Sequence, residues 1–258
     1  MLIDLARLSQ AEALLWKRYG ITRPDEIDLD AIAHDLGLTV RRRLLNGADA
    51  RLVAVDGRGI VTVNNQTHPK RQRFSIGHEI GHWMRDREGE GLTACSKADV
   101  SPANQKAKSV EADANVFSSD LILPPYLVGP AIRGRPPTID LISDISALFD
   151  ASIPATAIRA VRIAACPAAV VVHTVSGKKW WFENLAWPSN EYRIVQDVHH
   201  DSPTMDLLYR GAPRDKTRDQ KERGDRWLVG RDARKLDVQV QSIKRQGDTV
   251  LTVVRLPR

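Results

Sequence analysis

The string FSIGHEIGHWM, residues 74–84, contains two histidines and a glutamate whose types and spacing suit one metal ion and one proton transfer. On an α-helix His78 and His82 lie one turn apart and within about 40° of each other, so both imidazoles can reach the same ion. Glu79 falls at the edge of that face, where it can address a water on the metal without ligating the metal itself. With His78 at 0°, Ile76, Ile80, Trp83 and Met84 fall at about 160°, 200°, 140° and 240°. The helix, expected from about Arg71 to Met84, has an apolar back and a histidine front.

Two histidines do not close a site, and a downstream carboxylate is the natural third ligand. The candidates are Glu88, Glu90, Asp99, Glu111, Asp113 and Asp120. A second helix is expected from about Val110 to Leu123, stopped by Pro124 and Pro125. With Glu111 at 0° on it, Ala114, Phe117 and Leu121 fall at about 300°, 240° and 280°, while Asp113 and Asp120 fall at about 200° and 180°. Glu111 borders the apolar stripe that packs inward, and Asp113 and Asp120 share the opposite, outer face, so Glu111 is the preferred ligand. Asn115, one turn beyond Glu111, is placed to orient a ligand from behind or to serve as an ordinary helix amide.

RQRFSIGHEIGHW followed by VEADANVFSSDLILPP resembles the ImmA/IrrE family of metallopeptidases, whose pattern is an R-x-x-F-x-x-x-H-E-x-x-H helix and later an E-x-x-A-N-x-F-x-x-x-L-x-x-P helix. IDLDAIAHDLGLTV and GIVTVN fit the entry to the same domain, so the resemblance covers about residues 27–127. It implies zinc, or Mn(2+) or another divalent ion, on His78, His82 and Glu111, with Glu79 as general base in peptide hydrolysis. It also implies a protein substrate, a helix-turn-helix transcriptional repressor whose cleavage derepresses stress-response or mobile-element genes. Ser118 and Ser119 depart mildly from the family, standing where small residues, often Ala, are usual. Tyr126 is a candidate oxyanion donor, and the strand GIVTVN is expected to offer an edge for an extended substrate.

The elements that must hold these residues predict an α+β fold. A zincin-like metallopeptidase domain of helices and a small β-sheet spans 1–130, a helix-turn-helix-like helical segment 131–166, and a small α+β, sensor-like domain 167–258. Residues 1 to about 45 read as helical, and RLVAVDGRGIVTVNN as a hairpin about Asp56 and Gly57. GRPPT, 134–138, reads as a linker, 139–163 as two short helices around Asp150, and the C-terminus as a further hairpin. In the last region Trp180 and Trp181 suit a core or a ligand pocket.

The 258 residues carry 38 Lys+Arg against 32 Asp+Glu, and the stretch from Arg210 to Lys235 holds +5 of the net +6. Within it GAPRDKTRDQKERGDR, residues 211–226, reads as a solvated loop of mixed sign. The segment from Ala131 to Cys166 has four Arg against three Asp, thin for a phosphate-binding surface, so DNA binding is possible but unsupported by local charge. No apolar run approaches the ~18–20 residues of a membrane helix and the N-terminus lacks the pattern of an export signal, so a cytoplasmic location without membrane attachment is expected. Cys95 and Cys166 are expected to be free thiols, Cys95 a plain surface or packing one. His199 and His200 beside Asp201, if on a strand, point to opposite faces and do not share an ion. The alternative to the enzyme is a non-catalytic regulator with a structural zinc that binds DNA or a repressor partner; an intact Glu79 favours the enzyme.

Overall fold

Ser9 opens the first helix with a capping box, its hydroxyl accepting from the Glu12 N–H while the Glu12 carboxylate accepts from the Ser9 N–H. The computed structural model describes residues 8–55, 57–88, 105–209 and 214–257. Helix α1 (Gln10–Ala13) runs into a π-helical turn at Leu14–Arg18. Helix α2 (Leu29–Asp35) is capped by Asp28, which accepts from the N–H groups of Asp30 and Ala31. Gly37, at φ +83°, ends it in the left-handed region.

Beyond Gly37 the helical expectation for residues up to about 45 fails, because Leu38–Arg43 is strand β1. It pairs parallel to β3 (Arg58–Asn64), which pairs antiparallel to β2 (Ala50–Val55), giving the order β1-β3-β2. The expected hairpin is thus β2 and β3. One face of the sheet carries Leu38, Leu52, Val61 and Val63, all buried. Against it lies α3 (Pro69–Glu88), whose Trp83 is buried and donates its indole N–H to the Leu36 carbonyl at 2.8 Å. A Cβ on Gly59 would stand 2.2 Å from Leu38 and 3.2 Å from Trp83, so only glycine lets β3 lie this close to that face.

Helix α4 (Gln105–Ile122) packs on α3 and on α1. Pro124 and Pro125 stop it as expected, and Pro125 also starts α5 (Pro125–Ile132), since the first turn of a helix has no use for the missing N–H. Asp120 corrects the helical wheel: it is buried, because α4 is covered by α1 as well as by α3.

The chain divides into two compact units, Met1–Val128 with Leu148–Ser152, and Gly129–Ala147 with Ile153–Arg258. The second contains most of α6 (Ile139–Leu148) and all of α7 (Ile153–Ile163), which cross at 116° about the Asp150 turn. No single helix among the described residues is long and apolar enough to cross a membrane. Residues 134–138, a turn at Gly134 followed by four residues without regular structure, lie inside this unit, and α7 packs on a five-stranded antiparallel sheet. The sheet order is β5-β4-β10-β9-β7, built from β4 (Ala168–Thr174), β5 (Gly177–Glu183), β7 (Gln220–Arg223), β9 (Asp237–Arg245) and β10 (Thr249–Arg255). The terminal hairpin is β9 and β10. A short β6 (Arg193–Ile194) pairs with β8 (Leu228–Val229), and α8 (Pro203–Tyr209), unforeseen in the sequence, packs on β9 and β10.

The basic stretch is also not a simple solvated loop. From residue 214 onward it contains β7, and several of its cations are paired: Lys216 with Asp140, Arg223 and Arg234 with Asp225, Arg226 with Asp201, and Lys235 with Asp232. Trp181 is exposed with the Lys178 ammonium over its ring at 4.3 Å, while Trp180 is half-buried.

His173 on β4 is fully buried, with Nδ1 unpartnered and Nε2 3.4 Å from the Val195 carbonyl. Burial holds its pKa below the ordinary 6.5. The unfolded chain therefore takes up a proton that the folded chain refuses, and stability falls as pH drops below about 6.5. Calorimetric melting between pH 7 and 5 is expected to show the second unit losing stability with acid, with His173→Met flattening that slope; an unchanged slope would assign it to other groups.

Candidate metal centre

Helix α3 presents His78 and His82 on one face, and α4 brings Glu111 against them. His78 Nε2 lies 2.9 Å from His82 Nε2. The two Glu111 oxygens lie 3.3 Å from these nitrogens, one each. A tetrahedral ion with bonds of about 2.0–2.1 Å sets its donor atoms about 3.3 Å apart, so two imidazoles and one carboxylate at these separations fit a divalent ion. Asp113 is exposed and outside this cluster. Glu90, Asp99 and Cys95 lie outside the described residues, and of the Glu88 side chain nothing is described.

The tautomer is set from behind. His78 Nδ1–H donates to Asn115 Oδ1 at 3.1 Å, which leaves the Nε2 lone pair facing Glu111 and His82. Burial depresses the His78 pKa against the opposing pull of Glu111, favouring the neutral ring that a metal needs. Arg71, one turn before His78's neighbour Phe74, pairs with Asp49 at 2.6 Å and lies over the Phe74 ring at 5.4 Å, clamping the start of α3 to the sheet.

Glu79 is buried, with Oε2 lacking any hydrogen-bond partner. Burial first, and the Glu111 charge second, push its pKa up to about 7. A carboxyl so poised exchanges protons near neutrality, as a general base must.

Sequence reasoning missed the residues that let α4 approach. A Cβ on Gly81 would stand 3.1 Å from Phe117 Cδ1 and 3.3 Å from Ala114 Cα, and one on Gly77 would stand 2.7 Å from Ser118 Oγ. Ser118 is itself fully buried and donates to the Phe74 carbonyl at 2.8 Å. The signal was present: two glycines four residues apart form a flat stripe beside the histidine face.

Two further expectations are corrected. Tyr126 donates its hydroxyl to the Ile21 carbonyl at 2.9 Å, and its pKa is raised to about 12 by burial, so it is a packing residue rather than an oxyanion donor. GIVTVN is the central strand of its sheet and has no free edge; β1 and β2 are the edges. His199 and His200 lie in an irregular turn, not on a strand, with rings stacked at 4.3 Å. One ligand atom from each of His199, His200 and Asp201 lies within 4.8 Å of the others, so this largely exposed group could hold an ion, contrary to the strand reading, although Arg226 faces Asp201 at 3.8 Å.

Residues 33–160 match the family model described as the IrrE N-terminal-like domain, Peptidase_M78. The chain belongs to the ImmA/IrrE family. The matched span includes both α3 and α4, and so every residue of the His-Glu-His-Glu constellation of this ImmA/IrrE domain. Among solved structures, a Mycobacterium tuberculosis transcriptional regulator is similar over 94% of this chain and 73% of its own, with 14% identity and a TM-score of 0.60. At that identity the likeness is one of fold. No curated protein matches the chain.

Proposed function

We propose that the protein is a metal-dependent endopeptidase, zinc being the preferred ion and Mn(2+) an alternative, that cleaves a helix-turn-helix transcriptional repressor and so derepresses the genes it controls. The observation that carries the reading is the pairing of a three-donor cluster with a buried, partnerless carboxyl beside it. A purely structural site has no use for the second. His78, His82 and Glu111 would hold the ion, and Asn115 would keep His78 in the ligating tautomer. The ion would supply Lewis-acid activation of water and carbonyl. Glu79 takes the proton of the attacking water and returns it to the departing amine, which balances one proton over the cycle.

The DNA-binding alternative loses support in the helix pair. The pair carries two arginines, of which Arg159 is buried and Arg162 lies over the Phe182 ring at 5.2 Å. The α7 helix packs on β4 and β5, so the helix that would read a groove already has a partner. The repressor as substrate follows from the family resemblance alone. The reading is tested by incubating the metal-loaded protein with candidate repressors: fragments appearing with wild type and absent with Glu79→Gln support it, and cleavage undiminished in that variant contradicts it.

A further inference from the structure

Among the described residues, the face of the β1-β3-β2 sheet turned away from α3 is exposed at Thr39, Arg41, Arg43, Arg51 and Val53. Register places Thr39, Ile60 and Val53 in one row across the three strands, and Arg41, Thr62 and Arg51 in the next, with Arg43 beside Asn64 beyond them. Arg58 lies on the same face at the start of β3. Arg41, Arg43, Arg51 and Arg58 are all exposed, and none has an ion-pair partner among the described residues. Asp49, just before β2, is taken by Arg71 at 2.6 Å. Val53 is 41% exposed and Ile60 half-buried at the centre of the face.

Four unpaired guanidinium groups around an aliphatic centre form a surface complementary to one kind of partner. The outer strands stand about 10 Å apart, the width of one helix, so an amphipathic segment can lay apolar side chains on Val53 and Ile60 and present carboxylates to the arginines on either side. Single-stranded nucleic acid is disfavoured, because the face has no aromatic side chain on which bases could stack. Duplex phosphates would have no use for the aliphatic centre.

We propose that this face is a docking surface for an acidic, amphipathic segment of the protein the chain acts on; the word substrate rests on the peptidase reading, the docking does not. Because α3 packs on the other face, the docked segment is distinct from the segment that is cut. It would hold the partner by charge while the scissile bond reaches Glu79 around the sheet.

Binding is measured without turnover, on full-length metal-free Glu79→Gln protein, by the fluorescence anisotropy of a labelled synthetic helix of about 16 residues with leucines on one face and glutamates on its flanks. Saturable binding is expected, weakened about tenfold or more by Arg41→Glu with Arg51→Glu and reduced as salt rises from about 0.05 to 0.3 M. Lys179→Glu with Lys221→Glu, an equal charge change at exposed positions elsewhere, is expected to leave binding unchanged. Melting within a few degrees of wild type confirms that the variants are folded. No binding, equal loss in both double variants, or tighter binding of duplex DNA that the Arg41 and Arg51 changes abolish would overturn the inference. Since no cleavage enters the assay, failure here leaves the peptidase reading standing, and failure of cleavage leaves this result standing.

Discussion

Glu79→Gln is expected to lower peptide cleavage by about 10³-fold and, in the metal-free protein at pH 8, to raise stability by about 2 kcal/mol. The opposed effects have one cause. Glu79 is enclosed, its Oε2 has no partner, and its pKa stands near 7 instead of 4.5. Between those two values the folded chain binds a proton that the unfolded chain has released, so stability falls as pH rises through the interval. Two and a half pKa units amount to about 3 kcal/mol, from which a buried amide without full hydrogen bonding removes about 1. The gain should vanish below about pH 4.5, where the carboxyl is neutral in both states. Denaturant titrations of chelator-treated wild type and variant at pH 4.5 and 8 check this. Equal stability at pH 8 would mean that the buried carboxyl is not held in a destabilised state for proton transfer.

The second large effect is expected at Gly81. Valine there places a branched side chain against Phe117 and the Ala114 backbone, at a position where even a Cβ is tight at 3.1–3.3 Å. The helices must separate, and overpacking of this kind costs about 1–3 kcal/mol. Glu111 sits one turn before Ala114 on α4, so the same displacement withdraws the carboxylate from His78 and His82. A drop in metal affinity of about tenfold or more is expected, read by competition with a coloured chelator. Gly129→Ala is the control for metal affinity: it lies on α5 and, beyond its chain neighbours, its Cβ would meet nothing within 4 Å, so whatever an alanine before Pro130 costs in stability, metal affinity should stay intact. Undisturbed metal binding in Gly81→Val would show that the close approach of α3 and α4 does not set the site.

What was legible in the sequence was what depends on local period. The α3 and α4 helices, the β2-β3 hairpin, the helix pair about Asp150 and the terminal hairpin all announce themselves in windows of ten to twenty residues. Glu111 was separable from Asp113 because a helical wheel needs only neighbours in sequence. The misses are non-local. In β1, LTVRRR has two apolar residues followed by three arginines, so nothing local distinguishes it from the helix before it; its parallel pairing with β3, beyond the intervening strand β2, decides the matter. Asp120 reads as solvent-facing until α1 covers α4. In β7, Glu222 is buried and accepts the Trp227 indole N–H at 3.0 Å, a partnership that a count of mixed charges cannot reveal.

The central claim, a divalent ion on His78, His82 and Glu111, is tested most directly by elemental analysis of purified wild type beside Glu111→Gln and Asp113→Asn. About one zinc or comparable ion per chain is predicted in wild type and in Asp113→Asn, with loss in Glu111→Gln. No bound metal in wild type even after reconstitution, or loss in Asp113→Asn with retention in Glu111→Gln, would contradict it.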